Sequence, residues 1–245
     1  MDHLIFTAAA GAAAIGAQQS AISNNLANVS TVAFKADLIR AESRYLSGAG
    51  QQDSRAFATA VMQGNNLAAG PLQNTDRDLD VAVNGEGWIG VQAPDGSEAL
   101  TRRGDLRVNE FGQLLNGVGQ PVLGNSGPIA VPPFDAISVG ADGTVSIVPL
   151  GQDPNAQVAL DRIRLVNPAQ DTLKKGLDGL FRSAQPVAAD ASVRLVQGAL
   201  EGSNVSAVGE MVSMIELSRQ FETQVRLMSM AQEMDTSTAR LMQLE

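Results

Sequence analysis

Few side chains in this sequence are of the types that carry catalysis. The 245 residues include no cysteine and a single histidine, His3. A disulfide framework, a cysteine nucleophile and a thiolate or multi-histidine metal centre are therefore excluded, and catalysis by a histidine base is disfavoured. The sequence also lacks the P-loop, nucleophile-elbow and zinc-protease motifs. We expect no catalytic, cofactor-binding or metal-binding residue.

One glycine-rich segment imitates a nucleotide site. Gly85–Gly90 matches the pattern G-x-G-x-x-G and follows a predicted strand. The dinucleotide fingerprint also needs a helix to begin there, so that its N-terminus can hold the pyrophosphate. Trp88–Gln92 instead has the composition of another strand, ended by Pro94–Gly96. We interpret the segment as a connection between strands, with nucleotide binding as the minor alternative.

Three aspartates imitate the start of a calcium loop. Asp76, Asp78 and Asp80 have the right spacing, but position 6 of that loop would be Val81 and position 12 would be Gly87. A calcium loop needs glycine at position 6 and a bidentate glutamate at position 12. In an extended strand the three carboxylates share one face. We expect them to be solvated or paired with basic side chains of a neighbouring strand.

Arg102, Arg103 and Arg107 form a small basic cluster on a chain whose formal net charge is −9. This cluster predicts a salt-bridged surface, with contact to an acidic patch of another subunit as the alternative. The acidic balance disfavours nucleic-acid binding, because no excess of cations is available to replace phosphate counterions. Nine aromatic residues are also too few for base-stacking platforms.

The elements that position these residues begin with a nearly uncharged segment. Asp2 is its only formal charge through residue 34. A signal peptide is disfavoured because no basic segment comes first, and Leu4–Ala17 is shorter than the roughly 20 apolar residues of a membrane span. We expect a helix that needs a partner helix. Its heptad seam consists of Ile5, Ala8, Ala12, Ile15, Gln19, Ile22 and Leu26.

A second helix is predicted within Val205–Leu244, a segment without proline. At about 38 residues it exceeds the usual globular range of roughly 8–20 and favours a coiled coil or a helical assembly. Asn204 or Ser203 is the predicted N-cap. The same spacing of three and four marks its seam, which consists of Met211, Met214, Ser218, Phe221, Val225 and Met228.

Between the helices, short β-branched runs alternate with turn pairs. The predicted strands are Leu79–Val83, Trp88–Gln92, Leu106–Val108, Ile129–Val131, Ile137–Val139, Thr144–Val148 and Arg162–Val166. The turn pairs are Asp95-Gly96, Asn116-Gly117, Asp142-Gly143 and Asp178-Gly179. Residues 36–70 are ambiguous, with a first half that could be helical and with loops predicted at Ser47–Gln52 and Gln63–Gly70.

We therefore predict an α+β fold, in which a β-rich central domain, a barrel or a sandwich, lies between terminal helices that pair as a coiled coil. The predicted segments are an N-terminal assembly helix and signature (1–34), an extended or partly helical connector (35–78), the β-rich body (79–200) and a C-terminal assembly helix (201–245).

Several motifs, taken in chain order, resemble those of bacterial flagellar rod and hook proteins. They are Asn24–Thr31, Phe34-Lys35, Leu79–Val83, Gly85, Gly87-Trp88, Val91-Gln92, Thr101-Arg102, Gly104, Gly112–Leu114, Pro121–Gly124, Gly127–Pro132, Ala141–Thr144 and Leu200–Val205. Within the family, Met1–His3, the short length and the position of Trp88 look most like the proximal rod subunits. Distal rod subunits and hook-type axial subunits are the alternatives.

The family usually has glycine before the equivalent of Phe34, and here that residue is Ala33. Alanine disfavours a positive φ. Either the turn is right-handed in this chain, or the signature is slightly altered.

The resemblance implies a structural subunit and not an enzyme, with no cofactor. Such proteins are exported by the flagellar type III apparatus without a cleaved signal peptide. They polymerise through their terminal helices into the rod of the basal body, which crosses the periplasm and transmits torque. The implied partners are copies of the chain, neighbouring proximal and distal rod proteins and the export apparatus. Neither nucleic acid nor membrane insertion is expected.

The residues expected at the assembly interface lie in both terminal segments. Asn24, Asn25 and Asn28 would either fix the helix register through hydrogen bonds or simply end the helix. The full set is Ile5, Ala8, Ala12, Ile15, Ile22, Asn24, Asn25, Leu26, Asn28, Thr31, Phe34, Asn204, Val205, Met211, Met214, Phe221, Val225 and Met228.

The rival classes are a secreted β-fold hydrolase and a secreted binding module. A hydrolase predicts a pocket with paired carboxylates. A carbohydrate-binding module predicts clustered exposed aromatics, whereas Trp88 and Tyr45 are the only tryptophan and tyrosine and are far apart in the sequence.

Overall fold

The chain folds into two compact units in a computed structural model that describes residues 3–45, 56–153 and 155–242. The first unit draws on Met1–Val29, Asp37–Asn66 and Val205–Glu245, as far as these are described. The second consists of Ser30–Ala36 and Leu67–Asn204. The predicted α+β class is confirmed, with many strands and a helix near each end of the chain.

The first unit contains two long helices and a hairpin. Helix α1 spans His3–Ala27, strands β1 and β2 span Asp37–Tyr45 and Ala56–Asn65, and helix α2 spans Ala207–Met242. Alanine has the highest helix propensity, which favours the alanine-rich α1. Strands β1 and β2 pair antiparallel.

In its described residues, the connector between α1 and the β-rich body is extended, and there the helical alternative for its first half is wrong. Residues 37–45 pair along their length with residues 56–65. The predicted loop at Gln63–Gly70 begins too early, since β2 continues to Asn65. The other predicted loop, Ser47–Gln52, lies outside the described residues.

Helix α2 begins at Ala207, two residues after its predicted start at Val205. Ser206 is the N-cap, because its Oγ accepts a hydrogen bond from the amide of Gly209 at 3.3 Å. Asn204 and Ser203, the predicted caps, belong to the second unit.

Helices α1 and α2 run antiparallel to each other. The Asn25 side-chain amide donates to Glu210 Oε1 at 3.3 Å, and a Cβ built on Gly11 would lie 3.2 Å from Gln224 Cδ. Moving 14 residues up α1, from Gly11 to Asn25, therefore means moving 14 residues down α2.

The second unit is built from short strands and one 3₁₀ turn at Gln170–Thr172. Its strands are β3 (Leu72–Asn74), β4 (Val81–Asn84), β5 (Trp88–Gln92), β6 (Glu98–Thr101), β7 (Leu106–Val108), β8 (Leu114–Asn116), β9 (Phe134–Val139), β10 (Thr144–Pro149), β11 (Val158–Arg162), β12 (Leu165–Val166), β13 (Leu173–Lys175), β14 (Phe181–Ser183), β15 (Arg194–Gln197) and β16 (Ala199–Glu201).

These strands form several small antiparallel sheets. One sheet has the order β12-β5-β6-β14-β13, a second has the order β11-β10-β9, and the remaining pairs are β15-β4, β16-β3 and β7-β8. They enclose one main core, in which Val81, Ile89, Leu106 and Val145 have almost no exposed surface. A smaller cluster surrounds Trp88. The classification of the β-rich body as a barrel or a sandwich stays a prediction.

Turn pairs predicted the hairpins well. Asp95-Gly96 joins β5 to β6, Asp142-Gly143 joins β9 to β10, and Asp178-Gly179 joins β13 to β14. The three glycines have positive φ, which glycine adopts without a steric penalty. Two predicted strands differ: Ile129–Val131 lies outside the named strands, and Arg162–Val166 is broken between β11 and β12.

The glycine-rich segment is a strand connection, as interpreted from the sequence. Gly85 and Gly87 lie between β4 and β5, where the dinucleotide fingerprint would need a helix. A Cβ at Gly87 would lie 2.6 Å from Val193 Cγ1, so the position also requires glycine for space.

Candidate assembly interface

In the first unit, most of the predicted seam residues of α1 are buried or half-buried. Ala8, Ala12 and Ile15 are buried, and Ile5, Ile22 and Leu26 are half-buried. Ala14, Ala21 and Asn25 are also buried, so α1 covers more than the one predicted row. Because most of the buried residues of α1 are small, neighbouring elements can approach the helix closely. Each alanine, however, buries little apolar area.

Four of the six predicted seam residues of helix α2 are exposed in the single chain. Among its covered residues, Glu210, Leu217, Gln224 and Ala231 recur every seven positions, and two of these four make the contacts that define the register with α1. Of the predicted seam, Met214 and Met228 are half-buried, whereas Met211, Phe221 and Val225 are exposed. Their role in contacts with other subunits stays a prediction.

The start of α2 carries an apolar stripe on its exposed side. Val208, Met211, Val212 and Ile215 are 51–73% exposed, and their spacing of three and four residues places them on one face of the helix. We call these four residues the α2 stripe. Because large apolar groups at this spacing normally face a partner, the stripe is a candidate surface for a neighbouring molecule.

The asparagines near the end of α1 have different roles. Asn25 is buried and exchanges hydrogen bonds with the backbone of Asp37, accepting from its amide at 2.9 Å and donating to its carbonyl at 3.1 Å. It thus fixes the position of α1 against β1 and α2 within the chain. Asn28 instead donates to the carbonyl of Asn24 at 2.9 Å, which ends the helix.

The second unit contains a buried ion cluster that sequence reasoning missed. The Lys35 ammonium group lies 2.5 Å from Glu201 Oε1, and Arg102 Nη1 lies 3.1 Å from Glu201 Oε2. The side chains of Lys35 and Glu201 have no exposed surface, and that of Arg102 is 5% exposed. The expectation that Arg102 belongs to a surface cluster is therefore wrong, whereas Arg103 pairs with Asp105 nearer the surface.

This cluster joins the two predicted signatures to the β-rich body. Lys35 belongs to the N-terminal signature, Glu201 to the C-terminal signature and Arg102 to the segment after β6. Lys35 also donates to the carbonyl of Ala68 at 2.7 Å. Because both cations share hydrogen bonds with the Glu201 carboxylate, the cluster avoids the large cost of an isolated buried charge.

Burial lowers the pKa of Lys35 below its ordinary value of 10.5, and the charge of Arg102 acts in the same direction. The hydrogen bond and the charge of Glu201 oppose this shift. Arg102 Nε is buried without a hydrogen-bond acceptor, while the guanidinium carbon lies 5.4 Å from the centre of the Trp88 ring. This cation–π contact supplies part of the stabilisation that the missing acceptor does not.

The remaining signature residues lie close to the cluster. The Phe34 ring lies 4.2 Å from the Lys175 ammonium group, which donates to the carbonyl of Lys35 at 3.0 Å. Asn204 accepts from the amide of Ala36 at 2.9 Å and donates to the carbonyl of Ala68 at 2.9 Å. Of the predicted interface residues, Phe34 and Asn204 thus make contacts within the second unit.

Of the two alternatives for Ala33, a right-handed turn or a slightly altered signature, the structure excludes the right-handed turn. The φ of Ala33 is 57°, so the turn is left-handed although the residue is alanine. Its amide donates to the carbonyl of Glu201 at 2.7 Å, which holds this strained residue against the C-terminal signature.

Gly70 and Gly202 bring two segments of the second unit into close contact. A Cβ at Gly70 would lie 2.1 Å from the carbonyl oxygen of Gly202. The amide of Gly70 donates to Glu201 Oε1 at 3.0 Å. Any larger residue at position 70 would push these two segments apart and disturb the ion cluster.

The three aspartates form no joint site. Asp80 is buried and pairs with Arg77 at 3.1 Å, three residues earlier and not on a neighbouring strand as expected. Asp76 accepts from the side chain of Asn74 at 2.8 Å. Within the described ranges, no cluster of three potential metal ligands occurs. Among the described helices, none is both long and apolar enough to span a membrane.

Two family models match the sequence. "Flagellar hook protein FlgE/F/G D1 domain" matches residues 82–147, inside the second unit. "Flagellar basal body rod FlgEFG protein C-terminal" matches residues 196–241, which include most of α2.

Curated relatives match over nearly the whole length. The Flagellar basal-body rod protein FlgF of Salmonella typhimurium is 38% identical, with 100% of both chains covered. The FlgF of Escherichia coli is 40% identical over 94% of each chain. The Flagellar basal-body rod protein FlgG of Borreliella burgdorferi is 32% identical over 91% of this chain and 92% of its own.

Proposed function

The chain belongs to the family of flagellar basal-body rod proteins, and from that membership we propose that it is a structural subunit of the rod that assembles through its terminal helices. Full-length identity of 38% to a relative named for the rod is the observation that carries the assignment. Two relatives named FlgF are 38% and 40% identical, whereas the FlgG of Borreliella burgdorferi is 32% identical, which supports the proximal-rod branch.

The α2 stripe supports assembly through α2. Four large apolar side chains on one face are costly to leave in water, and burial recovers about 25 cal/mol per Å² of apolar surface. A neighbouring subunit would cover them. The predicted residues Met211, Phe221 and Val225, which are exposed in the single chain, would contribute to the same or adjoining contacts.

The pairing of α1 and α2 supports a coiled coil inside each subunit. Glu210, Leu217, Gln224 and Ala231 repeat every seven residues on the face toward α1, which is the period of a left-handed coiled coil. Paired helices of this length suit a shaft that transmits torque, because many buried contacts between subunits share the load.

The proposed location of the protein is the flagellar basal body, in the part of the rod that lies in the periplasm. The proposed partners are copies of the chain, neighbouring proximal and distal rod proteins and the export apparatus. Export without a cleaved signal peptide belongs to the same proposal and rests on the family alone.

Ile215→Asp tests assembly through the α2 stripe. Ile215 is 55% exposed, so aspartate there spares the fold of the single chain, whereas Ile15→Asp would bury a charge in the unit itself. We expect cells that carry only Ile215→Asp to be non-motile, with the variant folded but absent from isolated basal bodies. The matched control is Gln220→Asp on the same helix, which is exposed but outside the stripe. Normal rods with Ile215→Asp would refute the interface.

A further inference from the structure

A fully exposed leucine lies at the tip of a hydrogen-bonded turn in the second unit. Leu177 is fully exposed and lies between β13 and β14. The turn is held by hydrogen bonds from the amide of Gly176 to the carbonyl of Leu180 at 2.7 Å, and from the amide of Leu180 to Asp178 Oδ1 at 3.1 Å. Asp178 in turn pairs with Arg182 at 2.7 Å. The leucine is thus presented in one place at little entropic cost.

The same unit contains an apolar groove of about 710 Å³ at the ends of other strands. Its walls include Pro132, Pro133 and Phe134. Its rims are two exposed apolar side chains, Phe111 (87% exposed) and Leu150 (66%). We call this feature the Phe111–Leu150 groove.

Both rims of the groove are rigid. Asn109 Oδ1 accepts from the amides of Phe111 and Gln113 at 3.0 and 2.8 Å. Asp135 Oδ2 accepts from the amide of Gly151 at 2.8 Å, next to Leu150. Exposed phenylalanine and leucine held by such turns form a patch of the kind that marks a contact with another protein.

The charges around the leucine and the groove are complementary. Lys174 is exposed beside the turn of Leu177, where Arg182 pairs with Asp178 at 2.7 Å and lies 3.9 Å from Asp95. The groove carries Glu110 at its lining and Asp135 beside it, and both are exposed. A cation next to the projecting leucine would therefore meet acidic side chains at the groove.

We propose that Leu177 of one copy of this chain inserts into the Phe111–Leu150 groove of the next copy. The proposal rests on the proposed function, since it adds a contact between β-rich bodies to the contacts between terminal helices. Because the two surfaces differ, the contact is heterologous. Repetition of such a contact produces a helical array unless the rotation closes into a ring, and a helical array is the geometry that a rod requires.

Cysteine cross-linking tests the contact directly, because the natural chain contains no cysteine. The test variant is Leu177→Cys combined with Leu150→Cys, expressed as the sole copy of the full chain and oxidised in isolated basal bodies. The control combines Leu177→Cys with Val118→Cys, since Val118 is 61% exposed on a turn outside the groove. Each single-cysteine variant serves as a further control. A disulfide forms when the two Cα atoms lie about 4.4–6.8 Å apart.

We expect disulfide-linked dimers and higher multimers from the Leu150 pair, and at least tenfold less from the Val118 pair. Lys174→Glu should lower the yield, and Glu110→Lys in the same chain should restore it. Incorporation into basal bodies without multimers, or with equal yields from both pairs, would overturn the contact and leave the proposed function intact. Absence of the unmodified chain from basal bodies would instead overturn the proposed function, and the contact with it.

Discussion

At the scale of single residues, the buried ion cluster decides how firmly the two signatures are held to the β-rich body. Glu201→Gln leaves Lys35 and Arg102 as buried cations without a carboxylate. Loss of one partner of a buried pair costs about 3–5 kcal/mol, and we expect that decrease in the free energy of unfolding. Urea titration followed by the fluorescence of Trp88, the only tryptophan, measures it in the second unit.

Arg103→Ala is the matched control for that substitution. Arg103 pairs with Asp105 at 2.7 Å, and these side chains are 25% and 18% exposed, so water screens this pair more than the fully buried one and its loss should cost less. A cost for Glu201→Gln no larger than that of the control would mean that the buried cluster adds nothing to stability.

Ala33 is a second residue whose effect is measurable. A left-handed conformation costs a non-glycine residue about 1–2 kcal/mol, and the greater freedom of glycine in the unfolded chain offsets about 0.4–1 kcal/mol of any gain. The difference predicts that Ala33→Gly stabilises the second unit by about 0–1.6 kcal/mol. Ala36→Gly, a buried position without positive φ, should destabilise it in the same urea titration. Equal effects of the two substitutions would show that the strain at Ala33 is negligible.

At the scale of elements, aspartates in the hairpin turns make stability depend on pH. Hydrogen bonds from Ser97, Thr144 and Arg182 hold the pKa values of Asp95, Asp142 and Asp178 below their ordinary value of 3.8. Their stabilisation is complete above pH 3.8 and is lost as the pH falls through the lower, folded-state values.

The variant with Asn at all three turn positions tests this dependence. Asparagine keeps the acceptor oxygen and does not titrate in this range. We therefore expect the urea midpoint of the natural chain to fall more between pH 7 and pH 3 than that of the variant. Equal falls would place the acid sensitivity in other carboxylates.

Apolar spacing predicted that α1 and α2 exist, but not which side of α2 faces α1. Spacing records every surface that becomes buried, whether inside the chain or against another molecule. Helix α2 has apolar rows on more than one side: Leu217 is covered in the single chain, whereas Met211 and Ile215 are exposed. The seam read from sequence therefore mixes contacts of both kinds.

The hairpin of β1 and β2 and the ion cluster were missed for different physical reasons. The row of β1 that alternates with Arg40 and Glu42 has only the small residues Ala41 and Ser43 at its centre, which weakens the apolar alternation that is the main signal of a strand. Lys35 and Glu201 are 166 residues apart, and no local spacing reveals such a pair. Only their place in the two signatures marked them.

At the scale of the whole molecule, the two units differ in how they are stabilised. The second unit buries valine, isoleucine and leucine in one contiguous core. The buried apolar residues of α1 in the first unit are four alanines and Ile15. Since stabilisation follows the apolar area buried, the first unit has the smaller free energy of unfolding. The second unit was also the easier to predict, because its turn pairs mark the hairpins.

This difference predicts that α1 is protected by assembly rather than by the fold of the single chain. In hydrogen-exchange mass spectrometry of the dilute full chain, peptides from Ile5–Leu26 should exchange much faster than peptides from Trp88–Gln92, because local opening costs least where little apolar area is buried. In isolated basal bodies the same α1 peptides should become protected, as neighbouring subunits cover the terminal helices. Slow exchange throughout Ile5–Leu26 in the dilute chain would show that α1 is stable without them, and the terminal helices would then enter the rod already folded.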